Sequence, residues 1–369
     1  MKITVKQNEL SKALNLVSRI AGGARATLPI LNNVLIKAED KKVTLTTTNL
    51  DMAVVDYLPV SDSEEGTITV PAKLMAEFIS NLPSGESITL STEGKKVICK
   101  AGKYTSRVNG AEAEDFPELP EIDEEKAVIF TISADEFKKG MSQVTVAASN
   151  DTTRPALRGV YFNTYEGALY LAATDGYRMA ELKFIEKVKS EVKAIVPVES
   201  LQEVLRSISE EQEEVVMLFD ETQVRFRLGE VEITSKLIDG TFPNYRELMP
   251  ESNEVEMILD RAEVMRITKL AALFARAANG VIVAEANKET QKFSIAAVAN
   301  EFGENNSEIE CEIPENAKAS MSARYVIDAL NALEEEKVKL GLSTNKAKPI
   351  LIENEKSKNY RHIIMPLNV

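Results

Sequence analysis

The sequence predicts an α+β chain of three similar domains, and three observations carry that expectation. A short alternating strand runs straight into a helix at Ile3-Thr4-Val5, Phe130-Thr131-Ile132 and Met257-Ile258-Leu259, and the interval from the first to the second equals that from the second to the third. A second helix recurs in each copy, with Leu82, Ile208 and Leu333 at almost the same interval. Each copy also closes on a proline pair: Phe116-Pro117, Phe242-Pro243 and Met365-Pro366. Solenoid repeats are far shorter, about 20–50 residues, so a period this long marks whole domains. The boundaries are drawn at 1–122, 127–250 and 253–369.

The first helix of each copy follows from its apolar spacing: Leu10, Leu14 and Val17; Phe137, Met141 and Val144; Val264, Ile267, Ala271 and Phe274. Ser133 with Glu136, and Asp260 with Glu263, have the spacing of a capping box, whereas Lys6 leaves the first copy without one. For the second helices, Val70-Pro71 precedes Leu74, Phe78 and Leu82, and Val196-Pro197 precedes Leu201, Val204 and Ile208. Ser320-Met321-Ser322 precedes Val326, Ala329 and Leu333. The prolines are expected in the first helical turn, where a missing N–H costs nothing. Strand-rich stretches follow at 87–100, 215–238 and 337–364, with turns at Glu93-Gly94, Asp175-Gly176 and Asp239-Gly240. The acidic stretch 117–126 reads as the first linker and 250–253 as the second.

Composition narrows the function. Forty-four basic residues against 58 acidic ones give a net charge of −14, which opposes loose adhesion to nucleic acid or anionic membrane but permits a local basic surface. No apolar run approaches the ~18 residues of a membrane span, and the N-terminus lacks a signal-peptide core. Cys99 and Cys311 are far apart, which fits a reducing compartment, so a cytoplasmic location is expected. Both lie in apolar strand patterns and read as buried thiols. With His362 the only histidine, a His-based metal site or triad has few parts, and no metal or cofactor is expected. An enzyme with paired carboxylates would need two acids of divergent pKa at one cleft. The acids here sit mostly in runs such as Glu334-Glu335-Glu336, which read as solvated.

The local motifs then add a family. Thr27-Leu28-Pro29-Ile30-Leu31, Val70-Pro71-Ala72-Lys73, Ala173-Thr174-Asp175-Gly176-Tyr177-Arg178-Met179, Phe242-Pro243-Asn244-Tyr245-Arg246, Leu330-Asn331-Ala332-Leu333 and Met365-Pro366-Leu367 occur in the order and spacing of one family. Across its whole length the chain resembles the bacterial beta sliding clamps, the processivity subunits of the replicative DNA polymerase III holoenzyme. The resemblance implies a non-enzymatic, head-to-tail homodimer whose six domains close around double-stranded DNA, with twelve helices lining the hole. Such a ring holds DNA by topology, so it needs few of the salt-sensitive phosphate contacts that ordinary binding relies on. A protein-interaction scaffold with no topological hold on DNA is the alternative.

The resemblance also assigns residues. DNA contact falls to Lys12, Arg19, Lys138, Lys139, Arg206, Arg266, Lys269 and Arg324 on the inner helices, and to Arg25 and Arg154 in the loops after the first helices. By composition alone these read equally as solvated faces or loop salt bridges, since Glu9, Glu136 and Glu203 are interspersed. A groove for the linear peptide motifs of the replicative polymerase, the clamp loader, other polymerases, and mismatch-repair and ligation proteins falls to Leu157, Thr174, Gly176, Tyr177, Arg178 and Met179. Pro243, Leu248, Ile363, Ile364, Met365, Pro366 and Leu367 complete it, with Arg178 as a polar rim. Aliphatic and Met side chains suit varied peptides; Leu157, Ile363 and Ile364 read as core fillers without the family, although alternation forbids burying all of 363–365 on one face. The chain departs from the family pattern at Tyr177, where many members have His, and at Glu247 and Asn368, where some have Arg. Subunit contact falls to Ser106 and Val108 in the first domain and Ala272 and Leu273 in the third.

Overall fold

The computed structural model describes residues 1–22, 28–60, 62–119, 121–276, 279–299, 303–345 and 347–367. Arg25 and Asn368 lie outside them. Among the described residues there are six α-helices, and no helix is long and apolar enough to cross a membrane.

The repeat is visible in the element order. The first copy holds β1 (Lys2–Lys6), α1 (Gln7–Val17), β2 (Asn33–Glu39), β3 (Lys42–Thr48), β4 (Met52–Pro59), β5 (Asp62–Glu64), β6 (Gly66–Pro71), α2 (Ala72–Ser80), β7 (Ser87–Glu93), β8 (Lys96–Ala101) and β9 (Tyr104–Asn109). The second holds β10 (Val128–Ser133), α3 (Ala134–Thr145), β11 (Gly159–Tyr165), β12 (Ala168–Thr174), β13 (Arg178–Ile185), β14 (Lys193–Pro197), α4 (Val198–Ser207), β15 (Glu214–Phe219), β16 (Gln223–Leu228) and β17 (Val231–Lys236). The third holds β18 (Val255–Asp260), α5 (Arg261–Ala275), β19 (Val281–Asn287), β20 (Lys292–Ala299), β21 (Gly303–Glu310), β22 (Ala317–Ser322), α6 (Ala323–Ala332), β23 (Lys337–Leu342), β24 (Ile350–Asn354) and β25 (Tyr360–Ile364).

These strands form two compact units, and the cut runs through the second copy rather than between copies: 1–135 with 199–237, and 136–198 with 238–369. The first unit contains a five-stranded sheet, β5-β1-β7-β8-β9, and an eight-stranded one, β10-β15-β16-β17-β4-β3-β2-β6. The second contains an eight-stranded sheet, β14-β11-β12-β13-β25-β24-β23-β18, and a four-stranded one, β21-β20-β19-β22.

Each eight-stranded sheet is therefore two four-stranded halves zipped edge to edge. In the first unit β17 meets β4, with Val231 opposite Asp56 and Ser235 opposite Met52. In the second β25 meets β13, with Tyr360 opposite Leu182 and Ile364 opposite Arg178. Matching the copies strand by strand superimposes Val231 on Tyr360 and Asp56 on Leu182, so both junctions use one register. A slip of one residue would turn every side chain to the other face.

Helix packing follows the predicted stripes for the first helices. Leu10, Leu14 and Val17, then Phe137, Met141 and Val144, are buried, as are Val264, Ile267 and Ala271. Asp260 caps α5 by accepting from the Glu263 N–H at 2.8 Å, while Lys6 supplies no side-chain cap to α1. Two expectations change. Pro71 occupies the N-cap of α2 and Pro197 ends β14 just before α4, one step ahead of the first helical turn. The core face of α2 is Ala72, Met75, Ala76 and Ile79, so Leu74 is 52% exposed and Phe78 half-buried. The acidic stretch 117–126 is strapped to its sheet: Phe116 and Ile122 are buried, Gln223 donates to the Glu121 carbonyl, and Arg227 pairs with Glu124. Asn253 ties the second linker down by donating to the carbonyls of Gly341 (2.7 Å) and Pro349 (3.0 Å).

Candidate docking groove and open strand edges

A largely apolar groove of about 840 Å³ lies in the second unit. One wall is the 3₁₀ turn Pro155–Arg158, with Leu157 buried at its end. The next is the hairpin between β12 and β13, whose Asp175 Oδ1 accepts from the N–H groups of Tyr177 (2.9 Å) and Arg178 (3.0 Å). Thr174 closes the same turn, donating to the Arg178 carbonyl at 2.7 Å and accepting from the Gly176 N–H at 3.0 Å. Gly176 has φ +93°, and a Cβ there would come within 3.0 Å of the Arg154 guanidinium, so glycine serves both the turn and the close approach. Asp175-Gly176 is thus a hairpin turn.

The floor is rigid. Met179, Ile195, Phe242, Tyr245, Leu351 and Ile363 form one buried cluster, with Tyr161 stacked on Phe242 at 4.8 Å. The Tyr245 hydroxyl donates to Glu181 at 2.5 Å, and burial with that carboxylate pushes its pKa up. Arg246 lies 2.9 Å from the same carboxylate and packs over Tyr165 (4.0 Å) and Tyr170 (4.5 Å). Leu248, 64% exposed, and Met365 stand at the opening.

Of the residues assigned to this groove, Leu157, Thr174, Gly176, Arg178, Met179, Pro243, Leu248, Ile363 and Met365 line it together. Ile364 does not: it is fully buried on the opposite face, as strand alternation requires once Ile363 faces the groove. Tyr177 is exposed outside the lining, its carbonyl accepting from the Met365 N–H at 2.8 Å. Pro366 and Leu367 lead away, and the Leu367 N–H donates to the Ser320 carbonyl. Arg178 lines the groove but is no polar rim. Its side chain is 5% exposed and ion-paired with Asp175 (3.1 Å) and Asp328 (2.5 Å). Sequence reasoning missed Arg154, Asp239–Thr241, Tyr245 and 347–349, all of which line the groove. The Phe242-Pro243 motif could have flagged Tyr245; nothing local marks 347–349.

The basic residues divide. Arg19 donates to Glu203 (2.6 Å) and Ser207 (2.8 Å), and Arg206 lies 3.6 Å from the same buried Glu203. Lys139 pairs with Glu334 at 2.5 Å, and Lys138 is half-buried on α3. Arg266 and Lys269 are exposed on α5, and Arg324 is 76% exposed on α6. Burial raises the Asp56 carboxyl to about 6, against the opposing pull of Lys12. Arg154 pairs with Asp151 (3.2 Å) and donates to the Asp175 carbonyl at 3.3 Å, at the groove.

His362 is fully buried; its Nδ1 meets the Tyr360 hydroxyl at 2.9 Å, and burial beside Arg178 lowers its pKa to about 3. Cys99 is buried, with a thiol pushed up to about 11, while Cys311 is only partly buried. Among the described residues no cluster of His, Cys, Asp and Glu could hold a metal ion.

Two of the eight strands that end the four sheets among the described residues are β9 and β21. β9, carrying Ser106 and Val108, closes the five-stranded sheet, and β21 closes the four-stranded one. Arg107 is exposed on β9; Glu304 and Glu308 are exposed on β21. Asn305 Oδ1 is buried with no hydrogen-bond partner among the described residues. Leu273, 57% exposed, stands on α5 beside half-buried Ala272, one turn from exposed Leu270.

Comparison with known proteins covers the full chain. Profiles described as the DNA polymerase III beta subunit match it three times: N-terminal domain at 1–120, central domain at 131–244 and C-terminal domain at 246–368. Curated relatives named "Beta sliding clamp" include those of Synechococcus elongatus, 28% identical over 377 residues, and Bacillus subtilis, 27% identical over 384, each covering 100% of this chain and at least 99% of the relative. The crystal structure of the DNA polymerase III subunit beta from Pseudomonas aeruginosa superimposes with a TM-score of 0.93 at 26% identity, covering 100% of both chains. A Bartonella birtlesii sliding clamp bound to griselimycin gives 0.92 at 28% identity, also covering 100% of both chains.

Proposed function

This chain belongs to the DNA polymerase III beta subunit family, the bacterial sliding clamps, and on that premise we propose how its own residues close the ring, meet DNA and dock partners. The chain is a DNA sliding clamp rather than an enzyme. Its domains divide near 122–127 and 250–253, and it works in the cytoplasm.

The repeated junction supports the closure. β9 is the counterpart of β17, one repeat earlier: Val97 faces Val108 in the one hairpin as Val224 faces Ser235 in the other. β21 is the counterpart of β4, two repeats later, with Gly303 at the place of Met52. Carrying the common register to these two open edges pairs β9 of one copy with β21 of a second. Tyr104 then stands opposite Ser307, Ser106 opposite Asn305, Arg107 opposite Glu304 and Val108 opposite Gly303. Opposite charges meet across the strands, which favours this pairing. By the same correspondence α5 lies against α2 of the other copy. Leu270, Ala272 and Leu273 then cover Leu74 and Phe78, a larger apolar centre than Leu273 alone. Two such interfaces close a homodimer of six domains in which neither β9 nor β21 is left unpaired.

The helices of this ring face double-stranded DNA. Arg266, Lys269 and Arg324 carry exposed charge for phosphates, with Lys12, Lys138, Lys139, Arg19 and Arg206 contributing weaker, acid-diluted potential. Arg25, outside the described residues, is assigned to DNA by the family resemblance alone. Arg154 is assigned to the groove first. The groove takes an extended peptide with apolar anchors from the replicative polymerase, and in turn from the clamp loader, other polymerases and repair and ligation proteins. The observation that carries this is the convergence of Leu157, Met179, Leu248, Ile363 and Met365 on one opening over a rigid floor. Titration of the purified chain with a polymerase-derived peptide tests it: saturable binding lost on truncation of Leu248 or Met365 is expected. Solution mass tests the closure, with twice the chain mass expected.

A further inference from the structure

Arg178 is the place where the groove meets a helix that does not line it. Its guanidinium is held from three sides: Nε lies 3.1 Å from Asp175 Oδ2, Nη1 2.5 Å from Asp328 Oδ2, and Cζ 4.4 Å over the ring of Tyr325. Asp328 and Tyr325 both stand on α6. Asp175 uses its other oxygen to fold the turn that presents Thr174, Gly176 and Met179 to the groove. A chain of charge-assisted bonds thus runs from Asp328 through Arg178 to the backbone of a groove wall. Asp328 has a second claimant. Arg324 Nε lies 3.7 Å from the same Oδ2, and its side chain is 76% exposed where Asp328 is 26% exposed.

We propose that Asp328 is a positioning residue for peptide docking, and that Arg324 makes its hold on the groove responsive to phosphate at the surface of α6. Without the Asp328 carboxylate, Arg178 keeps one anion and the 174–179 turn loses its outer anchor. A phosphate that engages Arg324 leaves Oδ2 wholly to Arg178 and tightens the same turn. DNA and peptide therefore bind this chain with positive coupling, and the coupling is reciprocal. This rests on the groove and helix assignments made above.

The test is fluorescence anisotropy with a labelled polymerase-derived peptide, on the full-length dimer, with and without a short DNA duplex. Asp328→Asn should weaken peptide binding by roughly tenfold, within the range usual for coupled sites, with mass and thermal unfolding checked alongside. Asp328→Glu should recover part of the affinity. In an Arg178→Met background Asp328→Asn should add less than about twofold, because the effect travels through Arg178. Duplex should tighten peptide binding by wild type and leave the Arg324→Ala variant unmoved. Wild-type affinity in Asp328→Asn, or an undiminished loss without Arg178, overturns the positioning role. Equal tightening in wild type and Arg324→Ala overturns the phosphate response. Failure of wild type to bind the peptide is a different result, since it removes the groove assignment itself.

Discussion

Leu248→Ala probes the groove without disturbing the fold. The side chain is 64% exposed in the unliganded chain, so truncation opens no cavity, and exposed substitutions of this kind stay within about 0.5 kcal/mol of stability. Docking that covers Leu248 removes its open surface from water. Burying a whole leucine is worth about 1.5–3 kcal/mol; scaled to the fraction still open, the loss is about 1.4 kcal/mol, or roughly tenfold in Kd. Isothermal titration with a polymerase-derived peptide reads that loss, and a melting curve shows whether the fold is intact. A change below about twofold in an intact protein would refute the claim that peptides dock over Leu248.

Removing residues 365–369 should abolish peptide binding and leave the dimer, because Met365 lines the groove while β9 and β21 lie elsewhere in sequence; loss of the dimer in analytical ultracentrifugation would contradict the groove assignment. Arg107→Glu should weaken the dimer and Glu304→Arg should restore it in the double variant. Cross-strand pairs are worth up to about 1 kcal/mol each, so two interfaces give roughly thirtyfold in the dimer dissociation constant; a double variant as weak as the single one would show the register to be wrong. Asp56 has its carboxyl raised to about 6 from 3.8 by burial, so the folded state holds its proton more tightly. Its effect is a loss of stability as pH rises from about 4 to about 6. Asp56→Asn should therefore raise the melting temperature at pH 8 and leave it unchanged at pH 4, and an equal shift at both values would rule out titration as the cause.

What the sequence made legible was what short-range pattern controls. Leu10, Leu14 and Val17 set a helix face by spacing alone, and Asp260 with Glu263 set a helix start. The second helix of the first copy shows the limit. Leu74, Phe78 and Leu82 have good helical spacing, yet Met75, Ala76 and Ile79 win the core and leave Leu74 exposed and Phe78 half-buried. Two competing stripes on one helix cannot be ranked without knowing which face meets the sheet. Arg178 lines the groove, but its inward turn was not legible for a related reason: its position in the motif is local, whereas a carboxylate that draws it inward is Asp328, in the next copy of the repeat. Residues 347–349 reach the groove through the loop before β24, which no periodicity announces. Ile363 and Ile364 were separable only in part, since alternation says that one faces each way but not which.

The central claim is that DNA is held by closure of the ring rather than by phosphate contact. The most direct measurement loads the protein onto nicked circular plasmid with a clamp loader and ATP, raises the salt, and then linearises half of the plasmid. Protein that stays on circles and runs off linear ends is the predicted result. Protein that leaves both forms equally, with loading verified at low salt, would contradict it.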